Sequence, residues 1–162
     1  MAVYDSRPDT YEHRMHVQLY MLRVVNALLA RMVVHDASKL VSPEREVFDA
    51  VSQRLNTLTY GSPEYKASLA EMKDGLRHHY DANPHHPEHY ADGIVGMSLV
   101  DLIEMACDWA AAGLRHDPPT GLARSIGENQ ERFGYSDELR AILLNTAQLL
   151  ENGDEATRRG GR

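Results

Sequence analysis

Five of the nine histidines lie in one stretch, residues 77–90, which reads RHHYDANPHHPEHY. The neutral imidazole ring is the commonest metal ligand in proteins, and it also works as a general acid or base near neutral pH. Asn83-Pro84 and Pro87 interrupt regular structure here. By itself the stretch fits either a metal site or a polar surface loop, and the choice depends on partners elsewhere in the chain.

Three other segments carry side chains of the kinds that bind metals. His13 and His16 are three residues apart on a predicted helix, and HDASK follows that helix at residues 35–39. A third segment, DLIEMACDW, places three carboxylates along one helical face: Asp101, Glu104 and Asp108. Carboxylates in so apolar a helix are costly to bury unless they are paired, protonated or bound to a cation. Imidazole nitrogen together with carboxylate oxygen suits zinc, iron, manganese or nickel, whereas calcium prefers oxygen alone.

The elements that must position these side chains are helices. Apolar residues recur at the helical spacing of three and four, and SPERE, SPEY and SDEL are helix-start signals. Five helical segments are predicted, at about residues 10–34, 43–58, from 62 to the histidines, 97–112 and 136–151. Alternating β patterns are absent. We therefore predict one compact all-α domain of five or six helices over residues 1–152, followed by a disordered tail at 153–162.

Composition restricts the function classes. A chain of 162 residues with 43% apolar and 25% charged residues is typical of a soluble single domain. Its net charge of −7 argues against a nucleic-acid partner, although a metal or a local cation can still make one pocket attractive to a small anion. Cys107 is the only cysteine, which excludes a disulfide framework and a thiolate zinc finger. The longest apolar run is interrupted by Asn26 and Arg31, and no secretory signal opens the chain. We expect a cytoplasmic protein without a membrane partner.

The order of the ligand-type residues resembles the HD superfamily of metal-dependent phosphohydrolases. That superfamily is all-α and takes its ligands in the order His, adjacent His-Asp, and a later Asp; here His16, His35 with Asp36, and Asp108 match it. HDASK is similar to the HDIGK form of members with extra histidines, which implies that Lys39 contacts a phosphate. Such members carry two more histidine ligands between the His-Asp pair and the final Asp, the interval that contains residues 77–90.

Three motifs, HDxSK, HHPEHY and EMxxDW, are also similar to those of a small, largely phage-encoded family of HD-like proteins. The resemblance covers roughly residues 10–112. The GYP segment of better-known HD members is missing, so a cyclic dinucleotide substrate is unsupported.

The resemblance implies a hydrolase that uses metal-activated water to remove phosphate from a small metabolite, such as a nucleotide. One or two divalent transition-metal ions (Mn, Fe, Co, Zn or Ni) would serve as cofactor. The first ion would have four ligands: His16, His35, Asp36 and Asp108. A second ion would be bound by Asp36 as a bridge, with His79 and His86. Lys39 would neutralise charge on the phosphoryl oxygens, and Asp36 or Glu104 would accept the proton.

Several alternatives stay open at the level of sequence. His85 is almost as good a ligand as His86, and Asp101 is either a helix cap or a substitute for Asp108. His78 and His79 point about 100° apart on a helix, so only one can face the site, and the family-like pattern favours His79. An HD-type di-iron oxygenase would use the same ligand types, and a non-enzymatic helical binding protein would use none. The acidic helical C-terminal part is a candidate homodimer surface.

Overall fold

The computed structural model describes residues 4–55, 57–59, 62–115 and 120–152. These ranges contain seven α-helices: α1 Arg7–Val34, α2 Glu44–Leu55, α3 Pro63–Glu71, α4 Lys73–Ala82, α5 Leu99–Gly113, α6 Leu122–Phe133 and α7 Asp137–Asn152. Three short 3-10 helices join them, at Ala37–Leu40, Pro87–His89 and Gly93–Gly96. No strand occurs in these ranges, so the all-α prediction is confirmed. The predicted tail at 153–162 lies outside the described residues.

The helix count exceeds the five or six predicted, for two physical reasons. The segment predicted as one helix from residue 62 to the histidines is two helices, because the backbone leaves the helical region at Met72, a residue whose side chain is buried. α6 was not predicted at all. Its buried face consists of Leu122, Ile126 and the polar Asn129, so the apolar repeat that identifies a helix is too sparse.

The chain divides into two units. The N-terminal unit ends at His35 and consists of α1, and the second unit begins at Asp36 and contains α2 to α7. Among the described residues, Arg7–Leu40 is the one helical stretch whose length and apolar composition would allow it to cross a membrane. Core helices of soluble proteins and signal sequences meet the same criterion, so the absence of a membrane partner stays a prediction.

The hydrophobic core of the second unit lies among α5, α6 and α7. Each helix contributes two buried residues: Met105 and Ala106, Leu122 and Ile126, Leu143 and Ala147. Tyr135, in the α6–α7 turn, donates a hydrogen bond of 2.6 Å to the carbonyl of Ile126. This packing fixes the orientation of α5, the helix that carries Glu104 and Asp108.

A second close contact joins α2 to α4. A Cβ atom added to Gly75 of α4 would lie 2.8 Å from Cγ1 of Val47 on α2, so only glycine allows this approach. The contact brings the first residue of α2, Glu44, against the last turns of α4. Those turns carry His78 and His79.

A glycine at the end of α5 gives a test of the packing. A Cβ added to Gly113 would lie 2.4 Å from the carbonyl oxygen of Thr120, a backbone atom with little freedom to shift. We expect Gly113→Ala to lower the free energy of unfolding by about 1–3 kcal/mol. Urea denaturation followed by circular dichroism measures this change.

Gly127 is the matched control, because it lies inside α6 and a Cβ there would meet nothing within 4 Å. Gly127→Ala should raise the free energy of unfolding by about 0.5–1 kcal/mol, through helix propensity alone. A Gly113→Ala variant as stable as the wild type would contradict the close approach to Thr120.

Candidate metal centre

The site begins at Asp36, the first residue of the second unit. Its backbone is left-handed (φ 55°, ψ 12°), a conformation that costs an aspartate less than most residues other than glycine. The following 3-10 turn brings Lys39 back over Asp36, and Lys39 Nζ donates a hydrogen bond of 2.7 Å to Asp36 Oδ2. The other carboxylate oxygen, Oδ1, faces the histidines.

Three histidine side chains converge on Asp36. One atom from each of Asp36, His79, His85 and His86 lies within 4.8 Å of the other three. Asp36 Oδ1 is 3.4 Å from His79 Nε2 and 3.6 Å from His85 Nε2. The Nε2 atoms of His79 and His86 are 2.9 Å apart. Two ligand atoms at metal-bond distance from one ion, at a tetrahedral angle, are about 3.4 Å apart, so these separations fit a single transition-metal ion.

The imidazole of His79 is oriented by a buried carboxylate, Glu44, whose exposed fraction is 0%. Glu44 Oε2 lies 2.9 Å from His79 Nδ1 and also accepts a hydrogen bond from Ser38 Oγ, and Oε1 lies 2.7 Å from His78 Nδ1. With its Nδ1 proton donated to Glu44, His79 presents the Nε2 lone pair to the cluster. Metal-binding histidines commonly have such a carboxylate behind them.

Electrostatics keep Glu44 ionised. Burial acts to raise the pKa of Glu44, but the hydrogen bonds from His78, Ser38 and His79 outweigh it, so the net pKa is lowered. A carboxylate that stays charged in the interior is a strong acceptor for the Nδ1 proton of His79.

Asn83 ties the end of α4 to the turn after Asp36. Its side-chain amide donates to Ser38 Oγ at 2.8 Å and to the backbone carbonyl of His79 at 2.8 Å. Asn83 is buried, and it is the residue at which α4 ends before Pro84. The Asn83 side chain therefore holds together the two segments that carry Asp36 and His79.

His85 has a similar arrangement with a second carboxylate. The Nδ1 atom of His85 lies 3.2 Å from Glu104 Oε1, while its Nε2 atom faces Asp36. Glu104 comes from α5, whereas His79 comes from α4. The cluster therefore combines side chains from the helices of the α2–α4 contact and from the core of α5, α6 and α7. This position suits Glu104 for orienting His85, and its role as a proton acceptor stays a prediction.

The histidine stretch is arranged largely as its sequence indicates. Asp36, His79 and His86, predicted as one ligand set, lie together, and His85 joins them rather than replacing His86. His78 is exposed and contacts the other oxygen of Glu44. His89 is exposed and contacts the carbonyl of Tyr80.

The two aspartates of α5 have different positions. Asp101 forms a capping box with Ser98 and accepts a hydrogen bond of 2.9 Å from the hydroxyl of Tyr90, so the helix-cap interpretation of Asp101 is confirmed. Asp108 offers a ligand atom within 4.8 Å of one from His85. His16 and His35 belong to the N-terminal unit, and their part in a first metal site with Asp36 and Asp108 stays a prediction.

Three site residues were not predicted: Ser38, Glu44 and Asn83. Glu44 was interpreted only as an acidic residue in the first turn of a helix, and its contact with His79 spans 35 residues. Ser38 belongs to HDASK, and Asn83 belongs to RHHYDANPHHPEHY. Their position in these two motifs was the one signal that pointed to them.

Comparison with known families places the whole described chain in one of them. Residues 2–152 match the model of a family of unknown function, DUF5662. The chain belongs to the DUF5662 family. No curated protein and no solved structure matches it.

In this DUF5662 member the imidazoles of His79 and His86 are neutral near physiological pH. Burial lowers the pKa of His79, and the positive charge of Lys39 lowers it further. Burial also lowers the pKa of His86, to about 2, with added repulsion from His85 and His79. Neutral imidazole is the form that binds metals, so His79 and His86 already have the protonation state of metal ligands.

The carboxylate behind His79 gives the first test of the centre. We expect Glu44→Gln to weaken the binding of Zn²⁺ or Co²⁺ by about 10–100-fold, because the amide no longer attracts the Nδ1 proton of His79. Competition with a chromophoric chelator measures the affinity. Glu46→Gln is the control, since Glu46 lies on the same helix turn and is exposed. Equal affinities for the two variants would exclude a role for Glu44.

The lowered pKa of His86 gives a second test, on the metal-free protein. The unfolded chain takes up a proton at His86 near pH 6.5, whereas the folded chain does so only near pH 2, so stability falls as the pH falls below about 6.5. From pH 7.5 to 5.5, His86 alone should lower the free energy of unfolding by about 1 kcal/mol.

Urea denaturation in EDTA at pH 7.5, 6.5 and 5.5 checks this dependence. His86→Gln should reduce the slope, and His13→Gln, at an exposed position outside the cluster, should keep it. Stability that is constant or rises toward pH 5.5 would show that His86 is not held neutral.

Proposed function

We propose that this protein is a metal-dependent phosphohydrolase of the HD type, acting on a small phosphorylated metabolite such as a nucleotide. The observation that carries the proposal is the convergence of His79, His85 and His86 on Asp36, with Lys39 bound to the same carboxylate. A hydrolase of this type needs a transition-metal ligand set and a cation beside it. Both are present within one cluster of side chains.

The donor atoms fit a transition metal. Three imidazoles and one carboxylate favour Zn, Fe, Mn, Co or Ni over Ca or Mg. The cluster also has features that a metal site requires: His79 and His86 are neutral, and carboxylates lie behind His79 and His85, at Glu44 and Glu104. When bound, such an ion supplies Lewis acidity and lowers the pKa of a coordinated water, so that hydroxide exists near neutral pH.

Lys39 supplies the positive charge that phosphoryl transfer needs. Its ammonium group is held between Asp36 Oδ2, at 2.7 Å, and the ring of Phe48, whose centroid is 5.1 Å away. The Lys39 side chain remains 30% exposed, so a phosphoryl oxygen can reach it without displacing the protein. A preorganised cation beside the ligand set neutralises negative charge that grows on phosphoryl oxygens in the transition state.

The same ligand types serve HD-type di-iron oxygenases, and Lys39 favours the hydrolase. A fixed ammonium group beside the metal ligands attracts a phosphate, whereas activation of oxygen by iron has no need for it. Asp36 lies beside the imidazole of His85 and Glu104 lies against the same ring, so both carboxylates are near enough to the cluster to accept a proton.

A phosphate-release assay tests the function directly. The protein is stripped with chelator, reloaded separately with Mn, Fe, Co, Ni or Zn, and incubated with nucleoside mono-, di- and triphosphates. We expect metal-dependent release of phosphate from at least one nucleotide, loss of that activity in Asp36→Asn, and a fall in kcat of about 100-fold in Lys39→Gln. Lys73→Gln, at an exposed position on α4, is the matched control.

Two results would overturn the proposed hydrolase function. Iron in the native protein, with oxygen-dependent turnover and no release of phosphate, would identify the oxygenase. A protein that binds none of these metals, and whose thermal stability does not respond to them, would be a non-enzymatic helical protein.

A further inference from the structure

A cleft of about 860 Å³ opens in the second unit beside two residues of the candidate centre, His86 and Asp108, which line it. The end of α5 and the length of α6 form most of its remaining wall. A cleft of this volume matches the size of pockets that hold small organic ligands. A single phosphate group occupies a small part of such a space, so the cleft has room for the rest of a larger substrate.

The cleft contains an aromatic wall. The rings of Trp109 and Phe133 are parallel, with an interplanar angle of 0° and centroids 6.4 Å apart, and both side chains line the cleft. Trp109 lies one residue after Asp108, so the aromatic wall begins directly beside the centre. Aromatic faces bind planar rings by stacking, and they do so with any base or similar ring.

Three arginines also line the cleft, and they differ in their partners. Arg124 pairs with Glu128 at 2.7 Å, and Arg132 pairs with Glu88. Arg115 is exposed, and its side chain makes no hydrogen bond or ion pair with any residue that the structure describes. Arg115 comes two residues after the end of α5, so its charge is available at the C-terminal end of the helix that carries Asp108.

Asn129 adds a buried polar group to the same wall. It is 8% exposed, and its side-chain Nδ2 donates one hydrogen bond of 3.0 Å to the carbonyl of Ser125. Across the described ranges, Asn129 forms no other side-chain hydrogen bond, although an amide side chain can form four. A buried amide with unused capacity on the wall of a cleft is suited to bind a polar group of a ligand.

We propose that this cleft is the substrate-binding site of the hydrolase, and that the substrate carries a planar ring and a second anionic group in addition to the phosphoryl group at the histidines. Trp109 stacks on the ring, Arg115 binds the second anionic group, and Asn129 binds a polar edge of the ligand. This assignment rests on the proposed function for the position of the reacting phosphoryl group. A protein with a net charge of −7 repels small polyanions, so a cation without an acidic partner is needed for the second charge.

The cleft is tested on metal-free protein, separately from catalysis. Trp109 is the only tryptophan, so its fluorescence reports directly on a ring that stacks against it. The probes are adenosine 3′,5′-bisphosphate, adenosine 5′-monophosphate and ribose 5-phosphate, titrated in EDTA by fluorescence and calorimetry. We expect both adenosine compounds to change the emission and ribose 5-phosphate to leave it unchanged, and the bisphosphate to bind more tightly than the monophosphate.

Substitution of the unpaired arginine separates the proposal from a nonspecific effect. Arg115→Gln should weaken binding of the bisphosphate about tenfold, because one charge-assisted hydrogen bond is lost. Arg45→Gln removes an equally exposed arginine on α2 that does not line the cleft, and it should leave binding unchanged. Arg115 is exposed, so this variant should keep the melting temperature of the wild type.

No change in Trp109 emission with either adenosine compound, or equal affinities for Arg115→Gln and Arg45→Gln, would overturn the assignment. The proposed hydrolase activity is tested separately, by phosphate release in the presence of metal. A negative binding result for the cleft therefore does not contradict the hydrolase, and an absence of phosphate release does not contradict binding in the cleft.

Discussion

The candidate centre depends on the contacts that the buried carboxylate of Glu44 makes with its neighbours. An ionised side chain with no exposure is costly unless its oxygens are satisfied, and here Ser38, His78 and His79 surround it. Its position as the first residue of α2 also favours a negative charge, because the positive end of the helix dipole lies there. The ionised Glu44 in turn fixes the tautomer of His79, and therefore which nitrogen faces Asp36.

Glu44 can reach His79 only because α2 and α4 approach closely. The side chain of Val47 fills the space where a Cβ of residue 75 would be, so glycine at that position is a requirement of the site as well as of the packing. On the other side, the core among α5, α6 and α7 holds Glu104 against His85. The short segment with Asn83-Pro84 connects α4 to the helices of this core, and its His85 faces the same oxygen of Asp36 as His79 does. The geometry of the cluster is thus a product of two helix packings and one loop.

The sequence alone predicted the all-α class and the long periodic helices, because these depend on local patterns. It also indicated the histidine stretch as a candidate source of metal ligands. α1, α5 and α7 each begin or end within a few residues of the predicted limits. The features that the sequence did not predict leave no local pattern in it. The role of Glu44 depends on a contact across 35 residues, the break at Met72 falls at a residue that is buried in the fold, and α6 has too few apolar residues to be visible as a repeat. His85 and His86 could not be ranked because both turn toward Asp36 once the loop is in place.

The cluster holds together groups that would repel one another if charged. Three imidazoles and the ammonium group of Lys39 surround one carboxylate, and His79 and His86 avoid the repulsion by remaining neutral. Lys39 occupies Oδ2 of Asp36, whereas Oδ1 is directed toward His79 and His85. A cation bound by the imidazoles would therefore meet an oxygen that Lys39 does not use, and Asp36 could serve both positive charges at once. An arrangement that keeps a fixed ammonium group and a metal site on opposite oxygens of one carboxylate is suited to a substrate with a negatively charged reacting group between them.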